Sequence, residues 1–210
     1  MMEYMTDPQG IERRSMEIIA PYLAPLQLSE EQTKVYERII HSAGDPDYAN
    51  HIIMHPQAVD AGTKALRQGA SIYTDVQMVR VGINARKLAE FGGATHCLIA
   101  DEEVVAEAKR LGITRSMVAM RKFGKKLDGQ IVAIGNAPTA LFELLKLMDE
   151  QGIRPALIIG VPVGFVGAAE SKDALIQHSP VPYVAVKGNK GGSTVAVSVC
   201  NALLYMAGSC

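Results

Sequence analysis

The sequence predicts an α/β fold: one three-layer domain, residues 1–210, with a parallel sheet of about five strands flanked by helices. Three observations carry that reading. Beyond Gly69 short apolar runs recur, each followed by glycine or a helix-capping residue and then a helical stretch, which is a βα alternation. The runs are mostly continuous in polarity, as expected of strands covered on both faces. A length of 210 residues, with no internal repeat and no linker, fits one domain of this kind.

The elements follow in order. Asp7-Pro8 opens a helix directed towards Pro21, and Ser29-Glu30-Glu31-Gln32 has the capping-box spacing that opens a second, ending at Gly44. Asp45-Pro46 and His55-Pro56 look like two further helix starts, the latter running to about Arg67. The strand candidates are Ser71 to Thr74, Thr95 to Ala100, Gln130 to Ile134, Ala156 to Ile159 and Tyr183 to Val186. Thr194 to Ala207 is the most apolar stretch, interrupted by Ser198 and Asn201. It falls short of the about 20 residues that a membrane span needs and reads as a buried helix.

Composition removes several classes of function. Apolar residues at 48% and charged residues at 20% describe an ordered globular chain. A formal charge of −1 with dispersed Lys and Arg offers nucleic acid no electrostatic footprint. Cys97, Cys200 and Cys210 are odd in number and lack CxxC spacing, so neither a disulfide framework nor a zinc knuckle is expected. The segment Met1 to Asp7 has no basic start and no apolar core, so a cytoplasmic location is expected.

Ligands of an open parallel sheet gather beyond the carboxyl ends of its strands. The loops there are glycine-rich: Gly135-Asn136-Ala137-Pro138-Thr139, Gly160-Val161-Pro162-Val163-Gly164-Phe165-Val166-Gly167 and Lys187-Gly188-Asn189-Lys190-Gly191-Gly192-Ser193. Each is explained by tight turns, or by backbone N–H groups held open for an anion. None has the GxGxxG or GxxxxGK[ST] arrangement, so a nucleotide is poorly supported.

On the second helix, at about 100° per residue, Val35, Tyr36, Ile39, Ile40 and Ala43 form one apolar stripe. Lys34, Arg38 and His41 fall opposite, a face that reads as cationic. A histidine there is either a solvated surface residue or a proton-transfer group tuned by the helix end and its cationic neighbours. Ser15 sits amid the apolar face Ile11, Ile18 and Tyr22, where close helix packing or a ligand contact would each explain a small hydroxyl. Arg115 follows the N-cap Thr114, a first-turn position that the helix dipole disfavours. Backbone N–H groups and a guanidinium there suit a carboxylate, or the arginine is an ordinary surface residue. Asp75, ending the strand Ser71 to Thr74, is a helix cap or a site residue, and the cap alone explains it. His51, His55, His96 and His178 show no metal-ligand spacing and are read as structural.

Four segments together carry a resemblance: Ile11-Glu12-Arg13-Arg14-Ser15, Tyr36 through Gly44 with Arg38 and His41, Ile134 through Leu141, and Gly160 through Lys172. With these the chain resembles the precorrin-8X methylmutase family over nearly its whole length. The resemblance implies an isomerisation in which a methyl group migrates between adjacent carbons of ring C, giving hydrogenobyrinate from precorrin-8X or cobyrinate from cobalt-precorrin-8. It implies no external cofactor, a tetrapyrrole substrate, and a homodimer with the active site near the subunit interface. It also implies His41 as the residue that protonates the ring, with Ser15 and Arg38 contacting substrate and Arg115 matching a further family arginine. An apolar C-terminal helix and a cationic face turned from the core both point to a covering partner, which agrees with the homodimer. The competing function is a non-catalytic corrinoid-binding carrier, for which an ionisable imidazole would have no use.

Overall fold

Among the described residues six strands form one mixed sheet in the order β1-β6-β5-β4-β2-β3. They are β1 (Ile52–Met54), β2 (Ile72–Thr74), β3 (Thr95–His96), β4 (Ile131–Ile134), β5 (Leu157–Gly160) and β6 (Tyr183–Val186). The computed structural model describes residues 4–208; Met1 to Glu3 of the N-terminal segment, and Cys210, lie outside the described residues. The helices are α1 (Pro8–Leu23), α2 (Glu30–Ala43), α3 (Ala58–Arg67), α4 (Gln77–Gly82), α5 (Ala85–Glu90), α6 (Glu102–Leu111), α7 (Arg115–Phe123), α8 (Pro138–Gln151), α9 (Ala168–His178) and α10 (Ser193–Ala207).

Strand residues alternate between two cores, which makes the three layers. Ile131, Ala133, Leu157, Ile159, Val184 and Val186 pack beneath α2, α3 and α10. Val132, Ile134, Ile158 and Ala185 pack on the other side with α7, α8 and α9. Burying an aliphatic side chain of this size contributes about 1.5 to 3 kcal/mol, so both faces of β4 and β5 hold the fold together.

Four expectations are corrected. The sheet has six strands, and β1 runs antiparallel to β6 with Ile53 opposite Ala185. Only three residues long, β1 is too short to show a period. Asp45-Pro46 starts a single 3-10 stretch, Pro46–Asn50, rather than an α-helix. The strand expected from Thr95 to Ala100 stops at His96, because β3 has β2 as its one neighbour and Asp101 then caps α6. Helix α1 continues through Pro21 to Leu23 and closes in the 3-10 turn Ala24–Leu26.

The packing also changes where apolar surface is exposed. Helix α10 is buried within its own subunit through Val195, Val199, Leu203 and Leu204, and so asks for no cover. Instead Phe165 and Val166, in the loop before α9, are 91% and 89% exposed. The α1 face of Ile11, Ile18 and Tyr22 is also exposed, while Ile19 and Leu23 face the core. No described helix is long and apolar enough to cross a membrane.

Candidate active site

Helix α2 sets the site because both its ends are fixed locally. The Ser29 hydroxyl accepts from the Gln32 N–H at 3.2 Å, and the Gln32 side chain accepts from the Ser29 N–H at 3.0 Å. At the other end Gly44, at φ 63°, receives the chain in the left-handed conformation and closes the helix on the Ile40 carbonyl. Val35, Tyr36, Ile39 and Ile40 are buried, and the Tyr36 hydroxyl donates to the Ile52 carbonyl at 3.1 Å. Arg38 and His41 are therefore turned outward.

Two clefts open on that side. The larger, about 730 Å³, lies between α1, α2, α3 and α10 and is lined by Glu12, Met16, Lys34, Glu37, Arg38, Asp60, Arg67 and Tyr205 among others. The smaller, about 260 Å³, holds His41 with Arg38, Ser42, Thr194, Val197, Ser198, Asn201, Ala202 and Tyr205. Arg38, Ala202 and Tyr205 line both, so the two clefts are one continuous surface. No described residue forms a hydrogen bond or ion pair with the His41 imidazole. Its ring nitrogens are open to a ligand.

The cationic reading of this face is corrected. Arg38 pairs with Glu12 at 2.7 Å, and Lys34 with Glu30 at 2.7 Å. Glu37 adds a half-buried carboxyl whose pKa desolvation raises, against the opposing pull of Arg38 and Lys34. Glu12 is 26 residues from Arg38 in sequence, beyond the reach of any helical spacing.

The glycine loops also differ from expectation, because several of their N–H groups are already used. Asp75 is completely buried, and its carboxylate accepts from the N–H groups of Gly135, Asn136 and Ala137 at 3.0, 2.9 and 2.7 Å. It caps nothing on the helix that follows, since the N-cap of α4 is Val76. It holds instead the turn between β4 and α8, taking up the three N–H groups that precede a helix whose own N-cap, Ala137, makes no side-chain cap bond. Burial pushes the Asp75 carboxyl above its ordinary range, and the three N–H donors oppose that shift.

The other two loops brace one another. Gly192 donates to the Val161 carbonyl at 2.9 Å and Gly164 to the Asn189 carbonyl at 3.3 Å. Beneath them Lys172, a wholly buried lysine on α9, donates its ammonium to the Lys190 carbonyl. Gly191 is required here: at φ 151°, a Cβ would strike the Val161 carbonyl oxygen.

Of the four residues singled out in the sequence, the structure brings Arg38 and His41 together and leaves two apart. Ser15 borders the larger cleft's α1 wall without lining it, and its hydroxyl donates to the Ile11 carbonyl at 2.8 Å. The face it occupies is exposed, so helix packing does not account for it. Arg115 is an exposed first-turn residue of α7, with Thr114 capping through the Met117 N–H. That helix belongs to the opposite core from α2, so Arg115 lies across the sheet from its own His41. Sequence reasoning missed Asn201, Ser198 and Tyr205 as site residues. The two polar interruptions in an otherwise apolar helix were the available signal. The remaining histidines have structural settings such as the His51–Asp47 pair at 3.0 Å and the stacking of His96 on Tyr73. Among the described residues no group of three or more His, Cys, Asp or Glu could hold a metal ion.

The family model described as precorrin-8X methylmutase matches residues 10–206. The cobalt-precorrin-8 methylmutase of Priestia megaterium is 46% identical over 202 residues, covering 96% of this chain and 89% of that protein. The precorrin-8X methylmutase of Pseudomonas aeruginosa is 42% identical over 204 residues, covering 97% and 98%. Among solved structures, the precorrin-8X methyl mutase of Thermus thermophilus is similar with a TM-score of 0.86 at 40% identity. It covers 95% of this chain and 96% of its own.

Proposed function

The chain belongs to the precorrin-8X methylmutase family and is an isomerase of cobalamin biosynthesis, and we propose that His41 is the acid-base residue of its methyl shift. The substrate in this reading is the tetrapyrrole precorrin-8X or its cobalt form, and the shift carries a methyl group between adjacent carbons of ring C. One carbon–methyl bond breaks and another forms, so the reaction is neutral in atoms and electrons. A proton lent to the ring must be recovered at the end of the cycle. An imidazole lends and recovers a proton without net change, which is the role assigned to His41. No external cofactor takes part in this scheme.

The observation that carries the reading is the His41 ring, without a hydrogen-bond or ion-pair partner among the described residues, in a cleft continuous with one of about 730 Å³. Arg38 stands beside it. Its ion pair with Glu12 is half exposed on both sides, and pairs of that kind contribute about 0 to 1 kcal/mol. A substrate carboxylate can therefore replace Glu12 at little cost and gain a bidentate contact. Ser15, on the α1 wall, contacts substrate by releasing the Ile11 carbonyl. Arg115 is too far round the fold to serve its own His41, and in a homodimer Arg115 of the partner subunit would serve it. The exposed Phe165 and Val166 supply apolar surface for such an interface. The enzyme works in the cytoplasm in this reading.

Incubation of the protein with precorrin-8X, and separately with its cobalt form, tests the proposal through the visible spectrum, because the shift alters conjugation. The expected result is conversion of at least one form. Binding of both with no conversion of either would contradict it and favour the corrinoid carrier.

A further inference from the structure

Lys190 lies in the loop between β6 and α10 and lines neither cleft. Its ammonium is fixed by two carboxylates, Asp45 at 2.6 Å and Asp47 at 2.7 Å. It also stands over the Tyr48 ring, 5.2 Å from the centroid. All three partners lie on the segment that leaves α2 just after His41, through Gly44. The same segment grips the loop a second time, because the Tyr48 hydroxyl accepts from the Gly191 N–H at 3.2 Å. On the far side, the Lys190 carbonyl accepts from the buried Lys172 ammonium. Two residues beyond Gly191, α10 begins, and its Thr194, Val197 and Ser198 form the wall that faces His41.

The two walls of the His41 cleft are thus the end of α2 and the start of α10, whose apolar faces share one core, and at this end Lys190 and Tyr48 tie the segment that leaves α2 to the loop that opens α10. We propose that Lys190 is a positioning residue, its ammonium holding the Asp45–Asp47 segment and its carbonyl holding Lys172, so that His41 is set at a fixed distance from the α10 wall. The same ion pairs hold the Asp47 carboxyl down at about 2 and the Asp45 carboxyl below its ordinary value, so both carboxylates are charged partners of the ammonium. A substrate-binding role is disfavoured by the same geometry, because the ammonium is already committed to two carboxylates. The inference rests on the reading of His41 as the acid-base residue. Removing the tie loosens the acid relative to the bound ring, and misplacement of that kind costs rate more than binding.

The experiment compares Lys190→Met and Lys190→Arg with the wild-type enzyme in two ways. In turnover, Lys190→Met should lower kcat by about 10-fold to 100-fold with KM changed by no more than about 2-fold, and Lys190→Arg should recover most of the loss. In nitrogen-15 histidine spectra of the unliganded protein, the His41 ring signals should move or broaden in Lys190→Met. The His51 signals should follow, since His51 shares Asp47, while those of His55, His96 and His178 stay in place. A raised KM at unchanged kcat would make Lys190 a substrate contact and overturn the proposal. So would a His41 signal that does not respond. If the wild-type protein converts no tetrapyrrole, the functional reading fails, and the spectra alone decide whether Lys190 positions His41.

Discussion

Replacing Lys172 with Met should alter how stability depends on pH. Lys172 is wholly buried on α9 with the Lys190 carbonyl as its acceptor, and desolvation lowers its pKa from the ordinary 10.5 to about 8. At about 1.4 kcal/mol for each tenfold change in proton affinity, that difference corresponds to about 3 kcal/mol. The sign follows from linkage. Below pH 8 the folded and unfolded chains both carry the proton, and the fold bears the full cost of a buried charge. Between pH 8 and 10.5 the folded chain has released a proton that the unfolded chain still binds, so the Lys172 contribution to stability rises with pH. Methionine keeps the apolar stem and has nothing to titrate. Urea unfolding from pH 7 to pH 10.5 should therefore show the wild type gaining about 3 kcal/mol relative to Lys172→Met. Parallel curves for the two proteins would refute the assignment of a desolvated, buried ammonium.

Two further outcomes are expected. Asp75→Asn presents an amide to N–H groups that now meet a carboxylate, and should destabilise the protein by about 3 kcal/mol in urea unfolding. A loss below about 1 kcal/mol would show that the α8 terminus does not depend on it. Arg115→Ala should weaken tetrapyrrole binding by about 1 to 3 kcal/mol while leaving the saturated rate nearly unchanged, since a carboxylate clamp acts alike on ground and transition states. Unchanged affinity at low salt would remove Arg115 from the site.

Features set by neighbours in sequence were readable in advance, and those set by distant ones were not. Helix α2 was readable in full because its cap, its stripe and its glycine stop lie within sixteen consecutive residues, Ser29 to Gly44. The placement of Arg38 beside His41 came with it, as a three-residue helical spacing. The Arg38–Glu12 pair was hidden because the partner belongs to another helix. Asp75 read as a local cap, since nothing in one strand end reveals that three N–H donors will arrive from residues 135–137. The burial of Lys172 was likewise invisible, because a lysine on a helix is ordinarily solvated and the loops that cover it come from other strands. Strand β1 was missed because it exists through pairing with β6, where Met54 meets Val184 and Ile52 meets Val186, far along the chain.

The central claim is that His41 performs the proton transfer, and the most direct test is His41→Ala measured for turnover and binding on the same substrate preparation. General acid-base catalysis contributes about 100-fold to 10,000-fold, so the saturated rate of the methyl shift should fall by at least that order. Tetrapyrrole affinity, read from the visible spectrum of the bound ring, should change by less than about 3-fold, because Arg38 and the remaining cleft contacts persist. A variant that converts saturating substrate at close to the wild-type rate would contradict the account and place the acid elsewhere in the cleft.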